Sequence, residues 1–113
     1  MHEIGALHQA VKLVDQIARD NQVDNVKQIT LEVGELTGFL PVFFEKYFSV
    51  VAEDFPVVKD AELKIRIVRG QAICMACDTL YNVMRCEGAC PNCKSREKKI
   101  LGGTEFKVMD IGF

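Results

Sequence analysis

Cys74-Met75-Ala76-Cys77 and Cys90-Pro91-Asn92-Cys93 are the two segments on which the fold of this chain turns. Each sets two thiols two residues apart, the spacing at which a tight turn presents both to one ion. Two such turns complete a tetrahedron with metal–sulfur distances of about 2.3 Å. Residues 78–89 lie between them. A tract this short cannot build its own core, so a metal has to supply what burial does not; structural zinc contributes about 10 kcal/mol or more to such small folds. Four thiolates leave no open position for water or substrate, which makes the predicted Zn(II) site structural rather than catalytic. Iron in the same sulfur cage is the alternative metal. A thioredoxin-like redox pair is the alternative chemistry, but it needs a CxxC at the start of a helix in a βαβ pattern, and neither segment offers one. Cys86 stands outside both pairs and reads as a free thiol or a small packing residue. Its exchange with Cys90 as a ligand is the alternative, with the poorer knuckle spacing.

Strands flank this cysteine tract. Upstream, Leu63, Ile65 and Ile67 alternate with polar residues; downstream, Phe106, Val108, Ile111 and Phe113 follow the break at Gly102-Gly103. Nearer the N-terminus, Ile4, Leu7, Val11, Val14 and Ile17 recur at helical spacing and predict a helix over about residues 4–20. Ile29, Leu31 and Val33 then alternate as a strand with one buried face, and residues 34–38 read as its exit loop. Pro41 suits a first helical turn, and Phe44, Tyr47, Phe48 and Val51 mark a second helix ending near Asp54, before Pro56. The expected fold class is therefore α+β, a small two-helix domain on a mixed three-stranded sheet, with an inserted zinc-ribbon-like (rubredoxin-knuckle) module. Residues 1–69 and 97–113 are assigned to the α/β domain and residues 70–96 to the insert.

Composition narrows the function. With 49% hydrophobic residues in 113, the chain has enough apolar side chains for one modest core. A formal net charge of −2 gives no basic field for phosphate backbones, and the short basic run over Lys94 to Lys99 changes that little, so no nucleic-acid partner is expected. No stretch approaches the ~20 apolar residues that span a bilayer, and the N-terminus has no signal-peptide pattern, so no membrane association and a cytoplasmic location are expected. In that compartment thiols stay reduced, which favours metal ligation over disulfides for five cysteines.

The chain opens Met1-His2-Glu3. A histidine at position 2 sets its imidazole beside the terminal amine and its own backbone amide, three nitrogens in one plane that favour a square-planar ion such as Ni(II) or Cu(II). Combined with Leu31-Glu32-Val33-Gly34-Glu35-Leu36-Thr37-Gly38, the two CxxC pairs with Cys90-Pro91, and Gly102-Gly103 before the last strand, this opening resembles the HypA/HybF family of nickel-insertion accessory proteins for [NiFe] hydrogenase maturation. The resemblance runs over essentially the whole length. It implies a Ni(II) site from the Met1 amine, the His2 backbone nitrogen and imidazole and a contribution from Glu3, with Cys74, Cys77, Cys90 and Cys93 as the zinc ligands. It also implies a metallochaperone rather than an enzyme, with a HypB-type GTPase and the [NiFe] hydrogenase large subunit as partners, and it leaves room for a homodimer. Family members commonly carry serine where this chain has Gly5, which caps the first helix without a side-chain oxygen. Some also carry a histidine near the zinc insert; this chain has only His2 and His8, so the fourth nickel position is unassigned.

Three further features have ordinary readings. His8, one turn after Ile4, is expected as a half-buried packing residue. Glu32 and Glu35 look like paired carboxylates but lie near no nucleophile or base, so a solvated or partner-facing role is expected. The aromatic run Phe43, Phe44, Tyr47 and Phe48 is expected in the core, although four aromatics in six residues exceed one helical face. The functional alternative is a zinc-ribbon adaptor that binds proteins without a nickel role.

Overall fold

The structure is a computed structural model that describes residues 2–113, apart from the side chain of His2. The first helix, α1 (His2–Asp20), buries Leu7, Ala10, Val11, Val14 and Ala18. Its buried stripe takes in Ala10 and Ala18 and leaves Ile4 and Ile17 off its centre, so it is turned slightly from the one the periodicity predicts. Ile4 is left 39% exposed. Gly5 lies inside the first turns of α1 and does not cap it, because the helix already begins at His2. The C-terminal end is closed by Gln22, at φ +57, with the Val23 N–H donating back to the Ala18 carbonyl at 2.8 Å and the Asn21 side chain donating to the Ile17 carbonyl.

Strand β1 (Gln28–Gly34) runs down the middle of the first sheet. It pairs in parallel with β2 (Glu62–Val68) and antiparallel with β6 (Phe106–Gly112), giving the order β2-β1-β6 and the mixed three-stranded sheet expected from the sequence. The parallel pair requires a crossover, and α2 (Pro41–Ala52) supplies it, with Pro41 in its first turn. Ile29, Leu31 and Val33 of β1 join Leu7, Val11 and Val14 of α1 and Phe44 of α2 in one core. Phe44 is fully buried and stacks on Phe106 of β6 at 5.0 Å between ring centroids. Tyr47 and Phe48 are partly buried against that core, and Phe43 lies stacked on Tyr47 nearer the surface, so the aromatic run does exceed one face. The other face of the sheet is polar, where Glu32 pairs with Lys107 of the neighbouring strand at 3.4 Å.

The cysteine tract forms a second sheet. Strands β3 (Gln71–Cys74), β4 (Leu80–Asn82) and β5 (Lys98–Gly102) pair antiparallel in the order β4-β3-β5. Pairing of β5 with β3 carries this sheet to Gly102, beyond the boundary at residue 96 drawn from the cysteines alone. The residues of β5 gave no alternating signal, since Ile100 and Leu101 are 40% and 51% exposed on a thin sheet with almost no core beneath it. Ala72, Cys74, Tyr81 and Cys90 are the buried cluster of the ribbon, separate from the α/β core. The two lobes give the molecule an elongated outline of 54 × 26 × 17 Å. Among the described residues no helix is long and apolar enough to cross a membrane.

Candidate metal centre

Each CxxC pair is folded by the same local device. In the first, the Asp78 N–H donates to the Cys74 carbonyl and the Cys74 N–H donates to the Thr79 carbonyl, both at 2.9 Å, while Asp78 takes φ +64. In the second, Lys94 N–H to Cys90 carbonyl and Cys90 N–H to Ser95 carbonyl repeat these bonds at 2.9 Å, and Lys94 takes φ +68. A left-handed residue immediately after each CxxC turns the chain back on itself, so both thiols of a pair point into the same space. The first knuckle follows β3 and leads into β4; the second precedes β5.

The four sulfurs converge. Cys74 Sγ lies 3.5 Å from Cys93 Sγ and Cys77 Sγ lies 3.6 Å from Cys90 Sγ, and all four fall within 4.8 Å of one another. A tetrahedral ion with bonds of about 2.3 Å needs sulfurs about 3.8 Å apart. A disulfide needs about 2.05 Å, and all five cysteines are free. The contacts run between the knuckles rather than within them, so each knuckle contributes to both close pairs. An all-sulfur tetrahedral donor set suits zinc or iron and leaves no position for substrate. Cys86 is half-buried against the ribbon cluster and is not one of the four converging cysteines.

The thiols are not equivalent. Cys77 falls from 9.0 to about 6, chiefly because the Thr79 hydroxyl lies 3.1 Å from its sulfur, and next because the Asn92 side chain donates to it at 3.5 Å. Cys93 is pushed up to about 12: a backbone N–H at Ser95 acts to lower it, but sharing protons with Cys74, Cys77 and Cys90 outweighs that. A divalent cation among four thiolates removes the repulsion that keeps these protons on, so metal binding and proton release go together. Thr79 and Asn92 were not singled out in the sequence. The available signal was their position, Thr79 two residues after Cys77 and Asn92 inside the second pair, where a side-chain donor can reach a ligand sulfur.

The N-terminal residues stand apart from this centre. Met1 and the side chain of His2, two of the proposed nickel ligands, lie outside the described residues. Glu3 is half-buried, and its carboxylate accepts a hydrogen bond from the Leu40 N–H at 3.1 Å, just ahead of α2. It therefore ties the start of one helix to the start of the other. His8 is half-buried with its ring edge-on to Phe55 at 5.3 Å, the packing role expected of it. Glu35 differs from the expectation. Its carboxylate accepts from the Gly70 N–H at 2.8 Å, from the Asn82 side chain at 3.1 Å and from Arg69 at 3.2 Å, so it faces the junction between the lobes rather than solvent. In the basic run, Lys94, Arg96 and Lys98 donate to the carbonyls of Pro91, Glu87 and Arg96, so these cations are engaged in holding ribbon loops.

A family model described as hydrogenase/urease nickel incorporation, metallochaperone, hypA matches residues 1–113. The chain belongs to the HypA family. The hydrogenase maturation factor HypA of Methanococcus maripaludis is 37% identical, over 97% of this chain and 93% of that one. The HypA of Francisella philomiragia is 36% identical over 100% and 99% of the two chains. The same fold occurs in the solution structure of the Ni metallochaperone HypA from Helicobacter pylori, with a TM-score of 0.68 at 22% identity over 97% of this chain and 95% of that one. A second solution structure, of a HypA protein, gives 0.70 at 24% identity over 99% and 95%. Membership makes this chain a hydrogenase maturation factor of the nickel-incorporation type.

Proposed function

We propose that this chain is a nickel metallochaperone that takes Ni(II) at its N-terminus and delivers it for [NiFe] hydrogenase maturation, with Zn(II) held structurally by Cys74, Cys77, Cys90 and Cys93. The observation that carries the reading is the match of the nickel-incorporation family over the whole chain, Met1-His2-Glu3 included. Nickel is cargo, and cargo has to leave. A terminal amine, one imidazole and a backbone nitrogen form an open, incomplete set suited to transfer, whereas four converging thiolates form a closed one suited to retention. The hydrogen bond from Leu40 to the Glu3 carboxylate supports a fixed direction for the chain at residue 3. The partners in this reading are a HypB-type GTPase and the hydrogenase large subunit, in the cytoplasm, with the α/β lobe as the nickel-handling domain.

Metal analysis of the untagged protein, before and after Ni(II) addition, tests this. His2→Ala, or an extension of two residues ahead of Met1, is expected to abolish nickel binding and leave the zinc content unchanged. Equal nickel affinity after either change would refute the N-terminal site. A second reading, an adaptor ribbon without a nickel role, is favoured by the exposure of Met75 and Leu80, 61% and 62%, on the ribbon surface. A nickel titration that finds no stoichiometric site would select it.

A further inference from the structure

We propose that Glu35 is the latch that fixes the orientation of the ribbon on the α/β lobe, with Asn82 of β4 as its catch. Two chain crossings join the lobes, one at Arg69-Gly70 and one at Gly103 to Glu105. The second is tied to the α/β lobe by the backbone, through Leu36 N–H to the Gly103 carbonyl at 2.8 Å and Gly34 N–H to the Glu105 carbonyl at 2.7 Å. Those bonds anchor a linker, not the ribbon beyond it. Among the described residues, the substantial packing between regular elements falls within one lobe or the other, and the two buried cores are separate.

The Glu35 carboxylate crosses that gap. One oxygen, Oε1, accepts from both the Gly70 N–H at 2.8 Å and Asn82 Nδ2 at 3.1 Å; the other, Oε2, accepts from Arg69 at 3.2 Å. The side chain is only 18% exposed, so water competes weakly for these charge-assisted bonds. Both halves are preset. Glu35 opens a 3-10 turn (Glu35–Thr37) that is braced by the Thr37 hydroxyl donating to the Gly34 carbonyl at 2.7 Å. The side-chain oxygen of Asn82, Oδ1, accepts from the Arg85 N–H at 2.7 Å, which leaves its side-chain nitrogen aimed at Glu35. The Val83 N–H donates to the Gly70 carbonyl at 2.8 Å, so the bonded linker and β4 move as one piece. Beside the latch runs a groove with walls from both lobes, Leu40 and Ile67 on one and Met84 on the other.

The inference rests on these contacts and does not depend on the nickel reading. The test is NMR on the full chain with zinc bound: ¹⁵N relaxation and residual dipolar couplings, fitted separately for each lobe. In the wild type one tumbling time and one alignment tensor are expected to describe both lobes. Glu35→Ala, which removes every acceptor, is expected to separate them, the ribbon tumbling faster and losing its common alignment. Asn82→Asp keeps the Arg85 bond but sets a second carboxylate against Glu35, and is expected to do the same while the ribbon stays folded. Glu35→Gln keeps the Oε1 acceptor and Glu32→Ala removes an ion pair away from the junction, so both are expected to retain one alignment tensor. Preservation of the wild-type alignment in both Glu35→Ala and Asn82→Asp would overturn the proposal, because the backbone crossings alone would then suffice.

Discussion

Chelation of the metal from the intact chain is expected to unfold the ribbon and leave the α/β lobe folded. The ribbon buries little that is apolar besides Ala72 and Tyr81, since the other members of its buried cluster are the thiols Cys74 and Cys90. A tyrosine that buries about 150–250 Å² contributes about 4–6 kcal/mol at ~25 cal/mol per Å². Zinc in a four-ligand site contributes about 10–16 kcal/mol, two to three times as much. Removing such an ion from a zinc-loaded ribbon would shift the ribbon's folding equilibrium by about seven powers of ten at the lower figure, taking 1.4 kcal/mol per decade. The α/β lobe keeps Phe44, Leu7, Ile29, Leu31 and five fully buried valines, none of which touches the metal site. Hydrogen exchange read by mass spectrometry, with zinc counted before and after chelation, checks this. Exchange protection should vanish in residues 71–102 and persist in α1, β1 and α2. Protection retained in the zinc-free ribbon would refute the reasoning, and so would loss of both lobes in one transition.

Gly34→Ala is expected to destabilise the protein by about 1–3 kcal/mol, the usual cost of overpacking. A Cβ there would meet the Gly103 carbonyl and come within 2.9 Å of the Thr104 nitrogen, backbone atoms that cannot swing aside; denaturant titration reads the change. Gly5→Ala should act the other way and stabilise by about 0.5–1 kcal/mol, because Gly5 is exposed within α1 and its Cβ would meet nothing within 4 Å. An unchanged or lower melting temperature would contradict that. Glu35 sets a pH dependence. The Gly70 N–H holds its carboxyl below the ordinary 4.5, with Asn82 and Arg69 adding to the effect against burial. A depressed folded-state pKa means that the stabilisation is complete above about 4.5 and is lost as pH falls through the lower value. The stability difference between wild type and Glu35→Gln should therefore be flat above pH 4.5 and shrink below it, whereas a difference that grows on acidification would show the wrong sign.

Legibility of the fold tracked how local each signal was. The alternation of Ile29, Leu31 and Val33 and the spacing of Leu7, Val11 and Val14 each report one buried face, and those elements form where the pattern puts them. Strands β3, β4 and β5 left no such trace, because a sheet shaped around sulfurs needs no apolar face. Gly5 was misplaced by comparison with a serine cap, since a helix start depends on where the preceding backbone leaves the helical region.

The cysteine pairs show what sequence alone determined. CxxC spacing dictates which thiols share a turn, a constraint that operates within four residues and needs no tertiary context. Only the tertiary structure decided that the sulfurs of one knuckle meet those of the other at 3.5 and 3.6 Å, and that Thr79 and Asn92 bear on Cys77 while Cys86 stays outside. Glu35 shows the same division more sharply. Its sequence neighbourhood offers only an acidic residue after a strand. Gly70 and Asn82 lie 35 and 47 residues away, and they reach the carboxylate because the parallel β1–β2 pairing returns the chain to the same end of the sheet before the ribbon begins.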